Sequence, residues 1–256
     1  MIKFFRRIRQ NLLSEGKTHK YFKYAIGEIV LVMIGILLAL QVNNWNNHRL
    51  EASKEQMFLK NLKSDFKNNL TEYKIIYGRG EEAYQASVDL LEIIKSEETI
   101  ISAEIDILIN KIVNKIQSLD LTSGSIDEII NTGSLNIIKD AELRKQLSNW
   151  SYHMADTRDD IDIMNAYLFD VFIPSLTNKT LLRNISGPEH IESNFRLPKI
   201  SKSGFKIDYN QTIRTFEFEN QVYNNALNYM YTLNAYKVIE AYLLNTLELI
   251  EANIND

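Results

Sequence analysis

The sequence predicts an all-α protein: a single N-terminal transmembrane helix followed by an elongated extracytoplasmic helical bundle. Three observations carry that expectation. Residues 25–42, AIGEIVLVMIGILLALQV, form an apolar run long enough to cross a membrane. Beyond residue 46, apolar side chains recur every three or four positions, and no strand-like alternation persists. Proline and glycine are scarce, three and nine in 256 residues, which favours long helices.

The apolar run sets the topology. At ~1.5 Å per residue its eighteen residues reach about 27 Å, and Tyr24 to Trp45 reach about 33 Å. Residues 1–24 hold Lys3, Arg6, Arg7, Arg9, Lys17, Lys20 and Lys23 against Glu15 alone, a net of +6. Residues 43–256 hold 22 basic and 31 acidic side chains, a net of −9. Basic flanks stay on the cytoplasmic side of an inserting helix, so the N-terminus is expected inside and the long acidic part outside. A cleaved signal peptide would have a shorter apolar core and a small-residue exit. Here the exit reads Leu40-Gln41-Val42-Asn43-Asn44-Trp45, and Trp45 and Tyr24 suit interfacial anchors. The expected division is therefore 1–23, a basic amphipathic segment, 24–45, the membrane helix, and 46–256, the bundle.

Within 1–23, Ile2, Phe5, Ile8 or Arg9, and Leu12 recur at helical spacing while Arg6, Arg7 and Gln10 lie towards the other side. Such a segment can rest on an anionic leaflet or serve only as a basic flank. Ser14-Glu15-Gly16 ends it. The first bundle helix continues from the membrane helix through Leu59, Leu62, Phe66, Leu70, Tyr73, Tyr77, Tyr84, Val88, Leu91 and Ile94. Ser102 is expected to cap a second helix reaching Gln117, and Ser125-Ile126-Asp127-Glu128 reads as a capping box for a short helix ending at Gly133. Asp140 is expected to cap a helix through Leu143, Leu147, Trp150, Met154, Ile161, Met164, Leu168 and Phe172, stopped by Pro174. Residues 175–214, with Pro188 and Pro198, read as a long irregular segment. From Thr215 a last helix carries Phe218, Val222, Leu227, Met230, Leu233, Tyr236, Tyr242, Leu247 and Ile250. With no cysteine, the exported part must be held by its apolar core.

The stretch Tyr24-Ala25-Ile26-Gly27-Glu28-Ile29-Val30, then Gly35-Ile36 and Ala39-Leu40-Gln41-Val42-Asn43-Asn44-Trp45-Asn46, resembles an uncharacterised Bacteroidetes-type family of short single-pass membrane proteins, a domain of unknown function. The opening Met1-Ile2-Lys3-Phe4-Phe5-Arg6 is similar too, as are Gly133-Ser134-Leu135-Asn136 with Ile138-Lys139-Asp140 and Leu143-Arg144, and Glu217-Phe218-Glu219-Asn220. The resemblance implies a bacterial inner membrane, with the bundle in the periplasm. It implies no activity.

Glu28 is the costly residue of the membrane helix, since a carboxylate there loses up to ~2.5–3.5 kcal/mol at the centre and less near an edge. It either reaches cytoplasmic water or Lys23, or joins a contact stripe. Glu28, Gly35 and Ala39 fall within about 40° of one another, and Gly35 with Ala39 permits close approach of a second helix. His153, Asp156 and Asp160 share a helix side, but one helix offers few metal ligands alone, and a solvated acidic face explains them. The aromatics after residue 205 suit either a ligand pocket or core packing. No nucleotide loop, nucleophile elbow, zinc motif or paired acid/base spacing is present, and the acidic domain argues against nucleic acid.

The expectation is a non-enzymatic, cofactor-free interaction or scaffolding module. Its partners would be the bilayer and copies of itself or another envelope protein. A ligand-sensing subunit signalling through a partner is the alternative, and a bundle enzyme a remote one.

Overall fold

The computed structural model describes residues 18–114, 118–185 and 200–255, with the side chains of 18–21 and Tyr24 excepted. The basic segment with Arg6, Arg7 and Arg9 lies outside the described residues, as do the expected helix end at Gln117 and the prolines 188 and 198. Two compact units divide the chain, Met1–Met57 and Phe58–Asp256. The helices are α1 (Thr18–Lys95), α2 (Ser102–Val113), α3 (Gly124–Asn131), α4 (Ala141–Tyr167), α5 (Ile173–Ser175), α6 (Tyr209–Thr212) and α7 (Phe216–Asn253). Short 3-10 turns at Ser134–Ile137, Leu176–Asn178 and Leu182–Asn184 link some of them. Among the described residues there is no strand, and the fold is all-α.

In the second unit the contacts run in opposite order along α7 and its neighbours. Lys63 of α1 meets Glu251, and Ser87 meets Asn225. Gln146 of α4 meets Tyr242, and Tyr167 meets Gln221. So α7 is antiparallel to both. Going along α2, Tyr229 reaches Ile112, while Arg214 reaches the Glu98 carbonyl just before the helix, so α2 runs alongside α7 in the same direction. The result is an up-down-up-down arrangement in which α2 and α3 share one place between them.

Two layers of core follow from that arrangement. Phe58, Leu62, Phe66 and Tyr73 of α1 cluster with Leu147 and Trp150 of α4, Tyr236 and Leu243 of α7, and Ile126 and Ile129 of α3. Ala83, Ala86 and Leu90 of α1 cluster with Ile105, Ile109 and Ile112 of α2, Leu168 and Phe172, and Phe218 and Tyr229 of α7. Fully burying one such aliphatic or aromatic side chain is worth about 1.5–3 kcal/mol, so these layers hold the unit without disulfides. Trp150 joins the three long helices through an edge contact with Phe66 at 5.6 Å and a tilted one with Tyr242 at 6.0 Å.

Several local expectations are corrected. Ser102 does not cap α2; Ile101 holds the N-cap place and no side chain caps there. The capping box at Ser125 is not formed, because α3 starts two residues earlier with Ser123 at the N-cap. The Ser125 N–H instead donates to Asp65 Oδ2 of α1 at 3.1 Å, a tertiary partner in place of the local one. Pro174 does not stop α4. The chain widens into a π register over Leu168–Phe172, with Ile173 N–H donating to the Leu168 carbonyl, and Pro174 opens α5.

The inward stripe of α1 also shifts: Leu70 and Tyr77 are half-buried beside the buried Asn69 and Ile76, although Ile94 is buried as expected. Tyr84, Val88 and Leu91 are only half-buried, and Ala83, Ala86, Ser87 and Leu90 take the interior. On α7, Tyr229 is buried and Met230 is exposed. Other expectations hold. Asp140 Oδ1 accepts from the Leu143 N–H at 2.7 Å, Thr215 Oγ1 accepts from Phe218, and Gly133 sits at φ 64°, where glycine carries no Cβ penalty.

Candidate functional site

In the first unit, α1 contains an eighteen-residue window of mean hydropathy 2.4, none of it buried, and it is long and apolar enough to cross a membrane. Its apolar side chains, from Ile26 to Val42, point into open space around the helix. Glu28 is half-buried and borders a shallow apolar groove along Ala25, Val32 and Ile36. Gly35 and Ala39 are exposed, and a Cβ added at Gly35 would meet nothing within 4 Å. Among the described residues, therefore, nothing crowds Gly35. At the other end Trp45 is exposed, with the Arg49 guanidinium 5.5 Å over its ring and bonded to Asn46 Oδ1 at 3.3 Å. An aromatic ring backed by a cation suits the headgroup level. The Tyr24 side chain lies outside the described residues.

In the second unit, polar side chains pin the helices together from inside the core. Asn69, 2 % exposed, grips the Thr122 backbone with its whole amide: Oδ1 accepts from the N–H at 2.8 Å and Nδ2 donates to the carbonyl at 2.9 Å. Asn225 Nδ2 donates to Ser87 Oγ at 3.2 Å in a fully buried pair between α7 and α1. Tyr229 Oη donates to the Ile112 carbonyl at 3.0 Å, Tyr209 Oη to Asp106 Oδ1 at 2.6 Å, and Tyr242 Oη to the Gln146 carbonyl. Burial pushes all three phenols up, Tyr242 to about 12, and does the same to Tyr73 and Tyr236. The Tyr209, Tyr229 and Tyr242 hydroxyls donate and stay protonated at neutral pH, so they tie the fold and do not serve as bases.

The aromatics after residue 205 thus split in two. Tyr209, Phe218, Tyr229, Tyr236 and Tyr242 are core, whereas Phe205, Phe216, Tyr223 and Tyr231 are exposed. His153 packs its ring on Tyr242 with centroids 4.5 Å apart, and Asp156 is exposed while Asp160 is half-buried. Among the described residues no group of three or more His, Asp or Glu is placed to hold a metal ion. An open cleft lies between residues 118–123 and α4, with Arg158 and Asp120 on its walls and Met154 and Leu119 at its apolar side. The Asn69 and Asn225 pins were not anticipated. Asn69 heads an Asn-x-Thr triplet, a signal usually read for glycosylation, and its burial is visible only once α1 and residue 122 meet.

Fold and site together define an all-α protein that pairs one helix of membrane-spanning length with a hydroxyl- and amide-pinned helical domain. The chain belongs to the Family of unknown function (DUF6090), whose model matches residues 28–155. That match takes in the apolar helix from Glu28 and the Gly133-to-Arg144 segment, and leaves out the opening residues and Glu217–Asn220. No curated protein and no solved structure matches the chain.

Proposed function

We propose that this protein is a single-pass, membrane-anchored interaction or scaffolding module of a bacterial inner membrane, with its N-terminus in the cytoplasm and its helical domain in the periplasm. The observation that carries the reading is the unburied apolar window of α1, which leaves water-exposed hydrocarbon unless lipid covers it. The charge split, +6 before the window and −9 after it, supplies the orientation. Buried polar groups of Asn69, Ser87, Asn225 and Tyr229 are engaged in holding helices, which supports binding in place of catalysis. Its partners are the bilayer, further copies of the chain, or another envelope protein. The stripe of Glu28, Gly35 and Ala39 is the proposed helix contact within lipid.

The experiment has two arms. Fusion of a reporter active only outside the cytoplasm to the C-terminus should be active, and a cytoplasm-only reporter silent; the reverse would overturn the orientation. Washing membranes with carbonate should leave the chain in the pellet, and its release would overturn the anchor. Co-purification from solubilised membranes then identifies what is bound. The Arg158 cleft favours one second reading, a ligand-sensing subunit. A small molecule retained through that same purification would support it.

A further inference from the structure

Helix α7 presents two different faces. Phe218, Tyr229 and Leu243 turn into the core, while Phe216, Tyr223, Met230, Tyr231, Val238 and Leu244 are exposed at between 42 and 82 %. Residues 216, 223 and 230 recur every seven positions and the series resumes at 244, with Tyr231 and Val238 in the adjoining row. A seven-residue repeat drifts only ~20° per step on an α-helix, so these side chains form one outward stripe.

The second observation concerns charge. From Asn220 through Tyr236 no Asp, Glu, Lys or Arg occurs, although such residues make up 24 % of the chain. Within 220–236 the exposed polar positions are amides, Asn220, Asn224 and Asn234. A helix face kept in water is normally charged. At its edge, Lys237 is engaged by its own domain, 4.3 Å over the Tyr77 ring and 3.1 Å from Glu240.

We infer that the outer face of α7, from Tyr223 to Val238, docks against the same face of a second copy of this chain. Residues 43–256 carry a net charge of −9, so most of their surface repels another copy. In a two-fold contact a patch meets itself, and a patch whose one charge, Lys237, is already paired in its own domain meets itself with little like-charge cost. Tyr and Met in a charge-depleted stretch also match the cores of protein interfaces. A partner recognised by its own charge would find only Lys237 here, already engaged by Tyr77 and Glu240. The face is about 23 Å long, small beside a standard interface of roughly 800 Å² per partner. Two chains held in one bilayer meet at raised effective concentration, which compensates for the small patch. That last step rests on the anchor proposed above.

The chain has no cysteine, so one introduced thiol reports on its own copy alone. Full-length chains with Met230→Cys or Tyr231→Cys, at the middle of the window, are oxidised in native membrane vesicles beside a Glu72→Cys control on an exposed position of α1. The expected result is a disulfide-linked dimer about fivefold more abundant for the two α7 thiols than for the control, the difference between docking and collision within the bilayer. Adding the exposed Tyr223→Asp to the Tyr231→Cys chain should lower the dimer to the control level, with unchanged circular dichroism showing that the fold persists. Equal dimer from all three thiols overturns the inference. So does a Tyr231→Cys thiol that resists alkylation yet forms no dimer, since a different partner then covers the face. Release of the chain from membranes would remove the anchor, while oxidation of the released protein still decides the α7 contact.

Discussion

Asn69 and Thr122 stand 53 positions apart, yet the Asn69 amide satisfies both backbone groups of Thr122 at 2.8 and 2.9 Å. The pair ties α1 to the strap between α2 and α3 at the point where two short helices share one place in the bundle. Each such bond contributes about 1 kcal/mol net, and leaving a buried backbone group unpaired costs about 1–3 kcal/mol. Asn69→Ala should therefore destabilise the protein by about 2–4 kcal/mol, measured as a lowered denaturation midpoint. Asn69→Asp keeps the acceptor but turns a carboxylate onto the Thr122 carbonyl, and should be at least as damaging. A loss below about 0.5 kcal/mol for both would contradict the clamp.

The five buried tyrosines carry a pH signature. Their folded pKa values lie above the ordinary value of 10, with Tyr242 at about 12 and the others beyond it. A raised folded pKa means that stability is fully present below pH 10 and falls as pH rises towards the folded value, because only the unfolded phenols ionise in between. Spectrophotometric titration should show Tyr209, Tyr229 and Tyr242 ionising together with unfolding, above about pH 11. Smooth ionisation of all thirteen tyrosines near pH 10 with the fold intact would contradict it.

Glu251 shows the opposite sign. Hydrogen bonding from Lys63, then the charges of Lys63 and Lys67, hold its carboxyl below the usual value, with nitrogens at 2.9 and 3.4 Å. Its contribution is present above pH 4.5 and fades as pH falls through the folded value. The pair is exposed, so the effect is small and weakened by salt. Glu251→Gln should lower the urea midpoint slightly at pH 7 in low salt and leave it unchanged at pH 3. A deficit that persists at acid pH would point to packing.

In the apolar helix, the open space around Gly35 makes a substitution diagnostic. A Cβ added there meets nothing within 4 Å among the described residues, so Gly35→Leu probes contact with a second helix. It should weaken self-association of the segment more than Leu37→Ala on the other side. Glu28→Gln should be mild, since interhelical hydrogen bonds in lipid average ~0.6 kcal/mol. Equal energy-transfer signals for wild type and Gly35→Leu would remove the stripe as a contact.

Local signals were legible wherever the determinant was local. Asp140 and Thr215 cap their helices because an N-cap needs only its own next three residues, and Gly133 turns left-handed because its own φ demands it. Ser125 misled for the complementary reason: its pattern promised a local partner, and Asp65, sixty residues away, took the N–H. Pro174 misled because a π turn, unforeseen from spacing, absorbed it. The inward stripe of α1 slipped because periodicity favours large apolar side chains, whereas Asn69, Ala83, Ala86 and Ser87 hold interior positions.

By itself, then, the sequence determined that the chain is all-α, that one N-terminal segment is long and apolar enough to cross a membrane, and where α4 and α7 begin and α3 ends. Those properties follow from periodicity, composition and capping, all of which act within a few residues. Only the tertiary structure decided that α2 and α3 share one place, that Asn69 and Asn225 are buried clamps, and which aromatics of α7 face inward. Side chains such as Tyr229 and Met230 are adjacent and similarly apolar, so nothing local ranks one above the other. The rotation of α7 against α1, α2 and α4 chooses between them, and that rotation is a property of the packed helices together.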